Sequence, residues 1–374
     1  MPSPVLVTLV VPLPSNTISH CFQYSQHHNL WLRRTSFFFQ LLELPHSLNM
    51  SGTTLSHGSY GIGIICGLLE EKAAMEVMLD EEHENLEQKA GDHNSYTLGR
   101  IGKHNVVIAC LPGGHQGKAA AATVAVHMMY SFPIKLGLMV GIGGGVPSQV
   151  PTIRLGDVVV SMPEGTHGGV IQYDLGKLES DGFRRKGHLD KPPKALLGAV
   201  TSLRAKHERK DPDFPRYLTA ISNNRKMATK YGFQGAQHDR LFGSEEIHPK
   251  DHRTCDHCVL TLQTVQRAHR DDNTPQVFYG TILSGDLVMK NGDERDRRAA
   301  ADTAMCFEME AAGLMNDFPC LVIRGISDYS DSHKNDRWQP YAAATAAAYA
   351  KEPLGALSAQ EVEKLRPASM PNAP

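Results

Sequence analysis

Short runs of branched apolar residues alternate along this chain with stretches whose apolar positions recur every three or four residues. Ile62–Ile65 predicts a buried strand, and Glu70–Asp80 behind it carries Ala73, Ala74, Val77 and Met78 at helical spacing. Val106–Leu111 predicts a second strand and Gly117–Tyr130 an alanine-rich helix. Ile134–Val140 predicts a third strand running into Gly141–Gly145, Asp157–Ser161 a fourth and Phe278–Leu283 a fifth, followed by Ser284-Gly285-Asp286. Glu310–Asn316 predicts a helix, Leu321–Ile326 a last strand and Gln339–Lys351 an alanine-dense helix. Continuous apolar strands separated by helices are the pattern of a largely parallel sheet covered on both faces, an α/β fold.

The pattern is absent before residue 50. Residues 1–49 hold three charged side chains, Arg33, Arg34 and Glu43, and no periodicity. The expected organisation is an irregular N-terminal extension over 1–55, a domain over 56–352 and a proline-bearing tail over 353–374. A polar insertion with irregular structure is expected within the domain at about 180–275. The extension reads as an appended or targeting segment, or as sequence upstream of a start at Met50-Ser51-Gly52. Pro12 and Pro14 interrupt its first apolar stretch, which lacks a basic flank, so it is a poor secretory signal. Its scarcity of acidic residues fits a mitochondrial presequence, which its two arginines support weakly.

Composition narrows the functional classes. At 374 residues the chain can bury a core without disulfide or metal staples. Lys and Arg number 38 against 40 Asp and Glu, and that balance argues against a nucleic-acid binder. No apolar run approaches the roughly 18 residues of a membrane span. The seven cysteines are scattered, with Cys66, Cys110 and Cys320 inside apolar runs. Free, buried thiols of this kind indicate a reducing compartment, so a cytoplasmic protein is expected.

Ligands of open α/β sheets gather at the carboxyl ends of strands. Here those ends carry Glu70-Glu71, Gly141–Gly145, Ser284-Gly285-Asp286, and Arg324 with Asp328. The glycine run is not a dinucleotide fingerprint, because its third glycine would fall at Val146. Gly113–Ala119 is not a P-loop, since Pro112 replaces the first glycine and Ala119 the hydroxyl residue. Both also read as tight turns. Glu308-Met309-Glu310 sets two carboxylates at a helix entry, where an ionised one could accept both hydroxyls of a ribose. An ordinary charged first turn is the alternative. Arg324 and Asp328 share a face of a core strand, a costly placement unless they are paired or used; a strand-end salt bridge is the alternative. His248, His252, Cys255, His257 and Cys258 invite a zinc reading, but no second C-x-x-C follows. An ordinary polar loop is the favoured reading, and no metal and no cofactor are expected.

Taken together and in this order, Ile62–Glu71, Val140–Val146, Leu155–Ser161, Phe307–Gly313 and Val322–Asp328 resemble the nucleoside phosphorylase superfamily. That superfamily holds purine nucleoside phosphorylases, uridine phosphorylases and methylthioadenosine/S-adenosylhomocysteine nucleosidases. The likeness is strongest to fungal nucleoside phosphorylase domains fused to signalling modules. The resemblance implies a three-layer α/β/α fold around a mixed, partly barrel-like sheet. It implies that Asp328 protonates purine N7, that Glu310 binds ribose with Met309 packing beside it, and that Glu71 orients an attacking water near Arg324. Val288 and Met289 fall where base-contacting residues lie, and Gly143 and Gly144 line the substrate. Asp328 would then need a raised pKa in a desolvated site.

Departures from the resemblance bear on the nucleophile. Met139 stands where phosphorylases carry an arginine, Ile142 where they carry a serine, and Glu70-Glu71 where they carry Gly and Arg. A phosphate dianion needs cationic donors, so hydrolysis of a purine nucleoside or nucleotide is favoured. The alternatives are phosphorolysis and a catalytically silent sensing module. The basic stretch Arg204–Lys210 could contact substrate phosphates or form a solvated surface. The partners implied are a purine nucleoside, water or phosphate, and other copies of the chain in a homo-oligomer.

Overall fold

The computed structural model describes residues 55–368 apart from 253; the readings of the N-terminal extension lie outside this range. The strands are β1 (Ile62–Cys66), β2 (Glu81–His83), β3 (Tyr96–Ile101), β4 (His104–Cys110), β5 (Leu136–Gly145), β6 (Val158–Ser161) and β7 (Val170–Gln172). They continue with β8 (Gly176–Glu179), β9 (Gly182–Arg185), β10 (Val277–Gly280), β11 (Ile282–Ser284), β12 (Cys306–Glu308) and β13 (Cys320–Asp328). The helices are α1 (Leu69–Val77), α2 (Lys118–Ser131), α3 (Lys194–His207), α4 (Phe214–Asn223) and α5 (Ala228–Tyr231). After them come α6 (Cys258–Thr261), α7 (Gly292–Ala300), α8 (Gln339–Ala356) and α9 (Ala359–Lys364).

Eleven strands form one mixed sheet in the order β10-β6-β13-β5-β1-β4-β3-β2, with β12, β11 and β7 branching from β5. The centre is parallel, as β1 and β13 flank β5 and β4 follows β1. Antiparallel pairs join β13 to β6 and β12 to β5. Alternate strand residues feed two cores. Ile62, Ile64, Leu138, Leu321 and Ile323 pack under α1, α3, α4 and α8. Ile65, Met139, Val322 and Ile326 pack with Val124, Ala125 and Met128 of α2. This is the expected α/β/α layering.

The fork in the sheet makes the site. β5 pairs with β1 only as far as Met139 and takes up β12 at Gly144. Between those points its edge away from β13 has no strand neighbour. Backbone groups there still need partners, and side chains supply them, as described below.

Four expectations are corrected. Glu310–Asn316 is not an α-helix but a short 3₁₀ turn, Ala311–Gly313. The Glu308 carboxylate takes the N–H groups of Glu310 and Ala311, which ends β12 in a tight turn. The run Phe278–Leu283 is two strands, β10 and β11, which pair with different neighbours. The first half of the polar insertion is helical, and Leu196, Val200, Phe214 and Ile221 join the core. Its prolines mark helix starts, since Pro193 precedes α3 and Pro215 occupies the first turn of α4. The segment read as a tail is also packed: α8 runs through Pro353, and Leu354 and Val362 are buried. No helix among the described residues is long and apolar enough to cross a membrane.

Candidate active site

A hollow of about 220 Å³ opens at the sheet fork, lined by Gly67, Glu71, Ile142, Gly143, Gly144, Phe307, Glu308, Met309, Glu310, Ser330 and Lys334. Leu287, Val288 and Met289 form its outer wall. Leu287 and Val288 are exposed and Met289 is buried. Of the residues expected to act, Glu71, Glu310, Met309, Gly143, Gly144, Val288 and Met289 therefore meet in one place.

Glu71 lies in the first turn of α1, directly after β1. Its Oε2 accepts the N–H groups of Gly67 (2.5 Å) and Leu68 (2.9 Å), and its Oε1 accepts that of Ile142 (2.7 Å). Three main-chain donors fix the carboxylate across the gap between β1 and β5. Burial raises its pKa, and the Arg324 guanidinium opposes that rise.

Arg324 comes from the middle of β13 and is fully buried. Its Nη2 pairs closely with Glu308 and lies 3.4 Å from Glu310 Oε2, while Nη1 donates to the Ile142 carbonyl at 3.3 Å. Ile142, which no second strand reaches, thus has its N–H and carbonyl satisfied by Glu71 and Arg324. Burial works against the charge on Arg324, but Glu308, Glu310 and Glu71 more than offset it and hold its pKa above the usual range. Its buried Nε has no hydrogen-bond partner among the described residues.

Glu310 Oε1 accepts the Gly117 N–H at 3.3 Å. Burial pushes the carboxyl up to about 7; Arg324 opposes this, and Glu308 and Glu71 add to it. Three carboxylates therefore surround one guanidinium.

The glycine run has a reason beyond approach to a ligand. A Cβ on Gly141 would sit 2.5 Å from both Arg324 Nη1 and Glu71 Oε1. A Cβ on Gly144 would lie 2.7 Å from Asp328 Oδ1 and closer still to Ser330 Oγ. These glycines make room for the charged side chains themselves.

Asp328 stands one layer behind the hollow rather than on its lining. It borders a separate crevice of about 30 Å³, and its carboxylate reaches the hollow through Ser330 and Lys334. Oδ1 accepts the Ser330 N–H at 2.9 Å; Oδ2 accepts from Ser327 Oγ at 2.8 Å and from Lys334 Nζ at 3.0 Å. These contacts use the carboxylate as an acceptor beside a lysine ammonium. Burial disfavours the Lys334 charge, and Asp328 overrides that and raises its pKa.

Other candidates are occupied structurally. Lys118 pairs with Asp174 (2.6 Å) and Asp286 (3.2 Å), and Ser284 Oγ accepts the Ala312 N–H. Within the basic stretch, Arg204 stacks on Tyr279 and Lys206 pairs with Asp213. Sequence reasoning gave no role to Glu308 or Lys334. Glu308 was visible as half of the Glu-Met-Glu pair, whereas nothing marks Lys334 within the polar stretch Ser330–Asn335.

Comparison with known proteins bears on the family and the fold. Residues 61–213 match the phosphorylase superfamily. A nucleotide-binding leucine-rich repeat (NLR)-like protein of Hyaloscypha variabilis is 44% identical over 317 residues, 84% of this chain, and the chain spans 31% of that relative's length. The 5′-methylthioadenosine/S-adenosylhomocysteine nucleosidase of Mycobacterium bovis is 23% identical over 78% of this chain and 94% of its own. Among solved structures, the futalosine hydrolase of Helicobacter pylori superimposes with a TM-score of 0.51 at 17% identity, covering 81% of this chain and all of its own.

Proposed function

We propose that this chain, which belongs to the phosphorylase superfamily, hydrolyses the N-glycosidic bond of purine nucleosides to free base and ribose. The observation that carries this reading is the acidic floor of the hollow. Glu71, Glu308 and Glu310 surround a single guanidinium, and the two cations at hand, Arg324 and Lys334, are already paired with carboxylates. A phosphate dianion would be repelled there, whereas a water would find acceptors. Ile142 brings no side-chain donor, and its N–H is already given to Glu71.

In this reading a water held by Glu71 attacks C1′ of the sugar. The C1′–N9 bond breaks, its electron pair leaves with the purine, and Glu71 takes one water proton. Ionised Glu310 accepts the ribose hydroxyls and favours the cationic character that develops on the sugar. The purine lies between Phe307 and the Val288–Met289 wall, with N7 towards Asp328. Asp328 passes a proton to N7 as the base leaves. Such transfer contributes roughly 10²–10⁴-fold. The commitments of Arg204 and Lys206 away from the hollow favour a nucleoside over a nucleotide.

The test is release of purine from nucleosides with and without phosphate. Equal release in both, with free ribose as product, is expected. Release only with phosphate, yielding ribose 1-phosphate, would establish phosphorolysis instead. No release in either would favour a sensing module.

A further inference from the structure

Away from the hollow, three side chains around the start of α6 converge. The donor atoms of His248, Cys255 and Cys258 all lie within 4.8 Å of one another. We propose that they bind one zinc ion, with His333 as the fourth ligand, and that the ion braces the segment carrying Lys334.

Two sulfurs and an imidazole are the donor set that selects zinc over harder cations. Zn–S near 2.3 Å and Zn–N near 2.0 Å require donor separations of roughly 3.3–3.8 Å in a tetrahedron. The three donor atoms, within 4.8 Å of one another, would have to draw together by up to about an ångström to reach it. A Cys255–Cys258 turn, closed by the Cys258 N–H on the Cys255 carbonyl at 3.2 Å, brings the two sulfurs together. His248 Nε2 lies 3.3 Å from the Thr254 carbonyl oxygen, an outer contact of the kind that orients a metal-binding imidazole.

A second observation comes from a different part of the chain. His333 is 6% exposed, and neither of its buried ring nitrogens has a hydrogen-bond partner among the described residues, although Asp331 Oδ1 lies 3.7 Å from Nδ1. Its ring stacks on Phe242 at 4.0 Å and meets the His248 ring edge-on at 5.4 Å. Buried imidazole nitrogens are seldom left unpaired, and a metal beside His248 would give one of them a partner.

The brace follows from the contacts. The His248 N–H donates to Ser332 Oγ at 2.9 Å, the Cys255 thiol points to the His333 carbonyl at 3.5 Å, and Asn335 Nδ2 lies 3.8 Å from Cys255 Sγ. Lys334, between His333 and Asn335, is the residue that pairs with Asp328. Metal binding would release the two thiol protons to solvent and leave at Cys255 a thiolate for Asn335 to donate to. The sequence reading preferred a polar loop because the second half of a paired motif is missing; His333 would take its place from 75 residues further on.

The test is metal analysis of the full chain. One zinc per chain after gel filtration is expected, with none in Cys255→Ser/Cys258→Ser. Chelated wild-type protein titrated with cobalt(II) should develop thiolate-to-cobalt charge-transfer and d–d bands, which His333→Ala should weaken. The titration needs no variant to fold. Zinc content no higher than in the double variant, together with no thiolate bands, would overturn the site. An undiminished cobalt spectrum in His333→Ala would overturn the fourth ligand. Hydrogen exchange at residues 332–337 should rise on chelation, and unchanged exchange would overturn the brace.

Discussion

Lys334 sets its ammonium 3.0 Å from Oδ2 of Asp328 and itself lines the hollow in front of that carboxylate. A purine that reaches Asp328 must therefore share it with a half-buried cation. Asp328→Asn keeps the shape and the Ser330 contact but has no proton to pass on. It is expected to lower kcat by roughly 10²–10⁴-fold with the fold intact. Lys334→Met should leave the acid in place and loosen its aim, raising KM and lowering kcat by about tenfold. Steady-state kinetics of both variants check this. Equal losses in kcat would make Lys334 the direct donor to the base.

Glu310 should impose an acid limit on activity. Its carboxyl is pushed up to about 7, and only the ionised form accepts the ribose hydroxyls. kcat/KM should therefore fall as pH drops below about 7, and Glu310→Gln should flatten that limb at a much lower rate. Stability runs the opposite way. The folded pKa lies above the usual carboxylate value, so the folded protein binds the proton more tightly than the unfolded chain. The contribution is complete below about 4.5 and is lost as pH rises through about 7. Denaturant unfolding at pH 5 and pH 8 should show wild type losing more stability over that range than Glu310→Gln.

The layers of the fold were legible because β1, β5 and the first half of β13, Cys320–Ile323, are unbroken apolar runs, which only a sheet covered on both faces can bury. The period of two expected to set Arg324 and Asp328 on one face is interrupted by a register shift between Ile326 and Asp328. What was not legible depends on the fork. The missing neighbour of Ile142, which makes Glu71 and Arg324 act as backbone partners, arises from β5 exchanging β1 for β12, whose Phe307 pairs with Gly144 from 163 residues further along. The helix expected at Glu310 is only the short 3₁₀ turn Ala311–Gly313, whose first N–H groups Glu308 caps from two residues earlier. Lys334 was missed because an ion pair made within a polar loop has no periodicity to betray it.

Gly141 tests whether the glycine run serves the charges or a ligand. A methyl group there would press on Arg324 Nη1 and Glu71 Oε1 at once. Neither is free to move, since both are held by Ile142. Gly141→Ala should cost about 1–3 kcal/mol in denaturant unfolding and abolish turnover. A fully active and stable Gly141→Ala would show that the cluster can relax.

Arg324 and Glu308 allow the structural and chemical roles of the cluster to be separated. Arg324→Met leaves three buried carboxylates facing one another without a guanidinium. Breaking a buried pair in this way costs about 3–5 kcal/mol, because the abandoned charge is worse than the lost attraction. Glu308→Gln in the same chain removes one of those charges while its amide oxygen can still accept the Glu310 and Ala311 N–H groups. The double variant should therefore recover much of the stability lost in Arg324→Met. It should not recover turnover, because Glu71 and Glu310 would still lack the cation that holds them ionised side by side. A double-mutant cycle in denaturant, with activity measured on all four proteins, decides the point: stability and activity returning together would mean that Arg324 serves the fold alone.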